Sequence, residues 1–502
     1  MPLALNLRYS RIVQSLLAAA PVALALPAVP APLTAQVAAG VARPARLEAT
    51  TASEAARTEF WSGVEDLTNA FPNRGTARIK RAVDLDPAFG LARVLHGINT
   101  AGLTTAQRNE EIARGIADAA KASTGELMVA LAYRENFRQN AVEARAILMS
   151  AGVLLPGEPL VAYQRAVWAA GVPGGTQTDA IPELRQVIER FPDYGPAYNT
   201  LAYAQWEAGV RNDAIQTAMT YMQKATAQPK PHDTYAELVQ WDGRYDEAIT
   251  HYKKAIEVDP TFLGGSYGLS EVYMLQGKGE MGRAALTAAM PNTTTPAQRV
   301  TIHIRIANTY LLEGNPKAAM TALGTVIEEA KKGELTASIA SAHIALANIE
   351  AAFGDPKNVQ AHIGHINALP PPPAPATPAG RFAGNGATFA IAGQPAAARM
   401  YLDSLTQYAT SATPSAALTS QVRATTGWVF FSEGKYTEAL AEFRQANVQN
   451  PSVRTGTALT LFKLGNVVEA RSMRDELVND RNLNLANFGN VFARRMVKQR
   501  II

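Results

Sequence analysis

Two short stretches bring together residue types and spacings that could do chemistry. Gly264 to Gly268 reads GGSYG, the G-x-S-x-G spacing that presents a nucleophilic serine. That chemistry needs a strand entering the turn and a helix leaving it, because only such a strained corner exposes the hydroxyl. Here the pentapeptide follows a helical stretch ending in EVDP and opens another, so Ser266 is expected to be an ordinary helix residue. His362 and His365, in AHIGHIN, stand three apart on one helical face, a spacing that two metal ligands can use. No carboxylate adjoins them and the chain has no cysteine, so a polar helix face is expected, with no metal and no cofactor. Neither a phosphate-cradling P-loop nor the H-E-x-x-H pair of zinc proteases occurs. Asn292-Thr293-Thr294 fits a glycosylation acceptor, which matters only in a host that uses that pathway. With catalytic residues expected to be none, the chain reads as a binding protein and not as an enzyme.

Composition narrows the partners. A net charge of +4 spread over 502 residues leaves no basic stripe, so neither nucleic acid nor an anionic membrane is implied. The one local cluster is VFARRMVKQRII, where Arg494, Arg495, Lys498 and Arg500 are expected to form a solvated face of a terminal helix. The absence of cysteine removes disulfides, thiolate metal sites and lipidation on sulfur. At the other end, Arg8 and Arg11 precede the apolar run Ile12 to Leu26, and small residues and prolines follow. That order is the charged, apolar and cleavable pattern of a secretory signal peptide, read over residues 1–36 with a disordered start. Pro21, Pro27, Pro30 and Pro32 interrupt a run already short for a bilayer, so no stable membrane span is expected after its removal. The mature chain is expected in the periplasm or secreted.

The elements that would position any site are helices in pairs. In DGRYDEAITHYKKAIEVDP, Tyr245, Ala248, Ile249, Tyr252, Ala255 and Ile256 recur at steps of three and four and so share one helical face. Gly243 stands where a tight turn needs a residue without a side chain, and Pro260 where the helix must stop. HDTYAELVQW, just before, is helical too, so the unit is an antiparallel helical hairpin. EGKYTEALAEFRQANVQNP, Glu433 to Pro451, repeats the same offsets almost word for word.

This unit resembles the tetratricopeptide repeat, whose period is about 34 residues. Its pattern of small, turn, aromatic and closing residues is met by Ala236, Gly243, Ala248, Tyr252, Ala255 and Pro260, and again by Gly427, Gly434, Ala439, Phe443, Ala446 and Pro451. Further copies keep the spacing around Gly209, Gly277, Gly314 and Gly465, while between Ala88 and Pro156 only helical periodicity remains. The resemblance implies an all-α fold, an α-solenoid of stacked antiparallel helical hairpins wound as a right-handed superhelix, with about ten to twelve hairpins. The expected organisation is an array over 50–368, a proline-rich loop or linker at 369–380, further hairpins over 381–480 and a capping helix over 481–502. Leu483, Leu485, Phe488, Val491 and Phe492 would be the cap's inner face or a docking patch.

Superhelices of this kind present an extended concave face. The resemblance places its ligand-binding positions on the first helices of the hairpins: Asn199, Tyr203 and Trp206; Asp233, Glu237 and Gln240; Tyr267, Glu271 and Met274; Asn308; and Trp428 with Phe431. The Lys and Asn pattern of family members that clamp a peptide's terminal carboxylate is missing. Acidic and aromatic residues dominate instead, so an extended peptide or loop of basic or apolar character is expected, although Tyr203, Trp206 and Tyr267 fit inter-repeat core equally well. The function this implies is a scaffold that binds a protein or peptide partner through a concave groove. Two alternatives stay open: an envelope protein binding glycan or small solute on the same scaffold, and an array regulating a separate enzyme.

Overall fold

The computed structural model describes residues 45–69, 71–100, 102–370 and 378–502. The signal segment at 1–36 and the core of the proline-rich stretch, 371–377, lie outside the described residues. Every regular element described is helical, and twelve hairpins account for all but the last long helix. The chain divides into two compact units, Met1–Tyr235 and Ala236–Ile502.

Unit 1 pairs α1 (Glu54–Thr68) with α2 (Pro72–Leu85), α3 (Gly90–Asn99) with α4 (Thr105–Ala122), α5 (Thr124–Phe137) with α6 (Ala141–Leu154), α7 (Pro159–Val167) with α8 (Ile181–Arg190), and α9 (Gly195–Glu207) with α10 (Arg211–Lys224). The division falls inside α11 (Pro229–Asp242). Unit 2 continues with α12 (Tyr245–Val258) and pairs α13 (Leu263–Leu275) with α14 (Gly279–Ala288), α15 (Pro296–Glu313) with α16 (Pro316–Lys332), and α17 (Thr336–Phe353) with α18 (Val359–Ala368). It then pairs α19 (Ala379–Ile391) with α20 (Pro395–Ser411), α21 (Ala416–Ser432) with α22 (Tyr436–Gln445), and α23 (Pro451–Lys463) with α24 (Val467–Asn479), and closes with α25 (Phe488–Arg500).

The repeated offsets have a packing cause. Gly243 and Gly434 both adopt left-handed backbone, at φ 94° and 78°, which a side chain would strain. Ala248, Tyr252 and Ala255 line the buried face of α12, and the Tyr252 ring lies against α13 where that helix carries Gly268. A Cβ at Gly268 would overlap the ring, so the glycine is the slot that receives the aromatic of the preceding hairpin. Phe443 of α22 repeats this, wedged between Gly427 and Gly456 of the helices before and after it. Burying such a ring contributes about 1.5–3 kcal/mol, and the slots let neighbouring helices approach closely enough to bury it fully.

The stretch from Ala88 to Pro156, where only periodicity was legible, uses the same device. Gly90 of α3 meets the backbone of Ala119 in α4, and Gly115 meets Val94, so small residues again set the crossing. Helix starts are fixed locally, by capping boxes at Thr104 with Gln107 and at Thr295 with Gln298.

Candidate functional site

Helix α25 locates the site in unit 2. It packs against α15, α17, α23 and α24. The first three are all first helices of hairpins, and α15 lies four hairpins before α23. A single helix can touch members so far apart in a stack only by lying along the inner face of its curve. Val491, Phe492, Met496 and Val497 join the core of this unit, and the Phe492 ring meets Phe353 of α17 edge-on at 5.7 Å.

The segment between α24 and α25 meets the first helices α13 and α15 and turns at its end, where the Asn487 amide donates to the Asn484 carbonyl at 3.0 Å. Gln240 donates from Nε2 to the main-chain oxygen of Arg481 at 3.3 Å, while its Oε1 accepts from the Tyr252 hydroxyl at 2.9 Å. Glu271 Oε1 accepts from the Leu485 amide at 3.0 Å, and Asn308 Nδ2 donates to the Leu485 carbonyl at 2.8 Å. Both main-chain groups of one residue are therefore held by side chains from α13 and α15. Leu483 and Leu485 are themselves buried.

Electrostatics hold the grip in place. Arg305, from α15, pairs with Glu271 at 2.7 Å and stacks its guanidinium 3.9 Å over the Tyr267 ring. Burial pushes the Glu271 carboxyl above its ordinary range, and the charge of Arg305 and the hydrogen bonds from Leu485 and Arg305 pull against it. The tail's own arginines reach helix ends. Arg481 donates to the Asp242 carbonyl at 2.8 Å and Arg500 to the Ala352 carbonyl at 3.1 Å, at the C-termini of α11 and α17. A Cβ at Gly314, the left-handed cap of α15, would meet the Arg495 guanidinium at 2.7 Å. Cations are favoured at such termini, where uncompensated carbonyls concentrate negative charge.

Of the residues that the sequence placed on a groove, Gln240, Glu271 and Asn308 meet on residues 481–485, and Tyr267 joins them through Arg305. Glu237 is buried on α11. Trp428 is buried between Phe431 and Phe443 and donates from Nε1 to Ser452 at 2.9 Å. In unit 1, Asn199 accepts from the Thr234 hydroxyl at 2.7 Å, and buried Asp233 accepts from Lys230 at 2.8 Å. The Lys230 ammonium lies 5.8 Å from the Tyr203 ring centre, and Arg211 lies over Trp206 at 5.2 Å.

Sequence reasoning missed Arg305, Lys230 and the placement of the tail. It expected the terminal arginines in solvent. Arg494 is instead buried and donates to the Asp480 carbonyl at 2.8 Å, because its partners are carbonyls brought close only by folding.

The stretches whose spacing suggested chemistry serve helix packing instead. Ser266 is a buried residue inside α13, so GGSYG forms no strand-to-helix corner. Sequence reasoning also missed the G-x-G-x-x-G spacing of Gly277, Gly279 and Gly282, which follows a helix where a dinucleotide-binding turn needs a strand. His365 stacks on His343 with ring centres 4.7 Å apart, and His362 Nδ1 lies 3.3 Å from His343 Nδ1. Among the described residues no group of three His, Asp or Glu is placed to hold a metal, and no helix is long and apolar enough to cross a membrane.

Stacked antiparallel helical hairpins with a gripped segment along the first helices define a helical-repeat protein. A family model described as the TPR repeat matches residues 242–277, where DGRYDEAITHYKKAIEVDP lies. That hairpin thus carries the signature of the tetratricopeptide repeat, within a TPR-like helical solenoid. No curated protein matches it. Among solved structures it is similar to a tetratricopeptide repeat protein of Parabacteroides merdae ATCC 43184, at 12% identity over 60% of this chain and 99% of the other, with a TM-score of 0.33. It is also similar to MamA 41-end from Desulfovibrio magneticus RS-1, at 15% identity over 34% and 94% of the two chains with a TM-score of 0.29. A third is a thermophilic TPR protein of Thermus thermophilus, at 20% identity over 37% and 98% with a TM-score of 0.29.

Proposed function

We propose that this protein is an exported interaction scaffold whose unit 2 holds an extended segment of a protein partner along the inner face of its first helices, and that it contributes binding without chemistry. The observation that supports this is the double grip on Leu485, whose amide goes to Glu271 and whose carbonyl goes to Asn308. Such a grip reads main-chain groups, and the apolar sites that bury Leu483 and Leu485 supply selectivity. Export rests on the order of Arg8, Arg11 and the apolar run to Leu26, and it places the partner outside the cytoplasm.

The test is a selection of phage-displayed peptides on the full chain carrying Leu483→Asp and Leu485→Asp, which vacates the face. The same chain with Glu271→Gln and Asn308→Ala added serves as the comparison. Peptides enriched on the first and lost on the second are the expected result. An empty selection, or the same peptides on both, sinks the reading.

A further inference from the structure

The face that would take a partner in unit 2 is filled by residues 481–500 of the same chain. We propose that residues 480–502 are a displaceable internal ligand, and that the partner taken in their place has their chemistry: a short non-helical stretch with leucines two residues apart, followed by a helix bearing arginines. This rests on the scaffold reading above and deepens it.

Three observations converge. The non-helical part is held through its main chain at Arg481 by Gln240 and at Leu485 by Glu271 and Asn308, and these contacts do not depend on its side chains. Its specific side chains, Leu483 and Leu485, are both buried, Leu485 inside the turn that the Asn487 amide closes on the Asn484 carbonyl at 3.0 Å. Its arginines go to helix ends, Arg481 to Asp242, Arg500 to Ala352 and Arg495 beside Gly314, where any basic helix of the same length could complement the same carbonyls.

Displacement has a kinetic consequence. A partner must wait for the tail to leave, and its apparent affinity is its intrinsic affinity multiplied by the fraction of chains whose tail is undocked. The tail then sets a threshold, since only a segment that matches its contacts, or is present at high local concentration, replaces it.

The probe is a fluorescent peptide of residues 479–502, titrated by anisotropy into the wild-type chain and into the Leu483→Asp/Leu485→Asp chain. At least tenfold tighter binding to the variant is expected, lost when Asn308→Ala is added. Hydrogen exchange on the wild type needs no variant: amides of 481–497 should exchange faster than those of α15 and α17. Equal binding to wild type and variant overturns the internal-ligand proposal while leaving the scaffold reading intact. A folded variant that binds nothing, or tail amides that exchange only with global unfolding, overturns it as well. Light scattering should find a wild-type monomer. A dimer that Leu483→Asp/Leu485→Asp dissolves would make the occupant a second copy's tail and overturn the proposal. Failure of the scaffold reading is separate, since it shows as an empty phage selection on the vacated face.

Discussion

Asn308 donates its side-chain amide to the carbonyl of Leu485 across 2.8 Å, and both residues are buried although 177 positions separate them. Asn308→Ala leaves that carbonyl without its donor in a site closed to water. The expected loss is about 1–3 kcal/mol, the cost of a buried polar group left unsatisfied. Urea unfolding measures it, and hydrogen exchange should rise over 483–497 while the amides of α1 to α4 stay unchanged. Uniform loosening of both units would argue that Asn308 acts through the stack and not through the tail.

Glu271 and Arg305 form a buried pair at 2.7 Å, and removing one charge strands the other. Arg305→Met is expected to cost about 3–5 kcal/mol, and Arg305→Met with Glu271→Gln distinctly less. Burial already raises the Glu271 carboxyl, and losing Arg305 raises it further. An acid raised in the folded state binds its proton more readily there than when unfolded, so folding gains stability as pH falls. Stability of the Arg305→Met chain should therefore recover in part between pH 7 and pH 5. A double variant as damaged as the single one would show that packing, not charge, dominates.

The hairpins were legible in the sequence because their causes are local. Gly243 and Gly434 need left-handed backbone, and Ala248, Tyr252 and Ala255 follow a helix's own period, so offsets of a few residues suffice. The placement of the tail was not legible. Gln240 meets Arg481 across 241 positions and Glu271 meets Leu485 across 214, and no periodicity records which carbonyl ends will lie near which arginine. The leucines at 483 and 485 were visible as an apolar face, but only the fold shows that the surface they cover belongs to the first helices.

Gly268 and Tyr252 test the slot that spaces the hairpins. Gly268→Ala drives a methyl into the ring, and the resulting shift should cost about 1–3 kcal/mol. Replacing Tyr252 with Leu removes the obstacle, so the double variant should lose less than the two singles together, by at least about 0.5 kcal/mol. Strict additivity in chemical denaturation would show that the ring and the glycine do not share a contact.

The histidine stack gives unit 2 a pH response of known sign. His343 lies on α17, with His362 and His365 facing it from α18 and Lys331 from α16, while Glu350 acts on His362. Burial, then the neighbouring histidines and Lys331, holds the His343 ring down at about 4. When unfolded it takes its proton near the ordinary value of about 6.5. The unfolded chain thus binds more protons between those values, and stability falls as pH drops from about 6.5 towards 4. His362, also lowered chiefly by burial, adds to the same slope. His343→Gln keeps a neutral polar side chain but has no proton to gain, so its Tm should fall less than the wild type's between pH 7.5 and pH 5. Equal falls would mean that the ring is charged in the fold, with His362 and His365 turned to accept it.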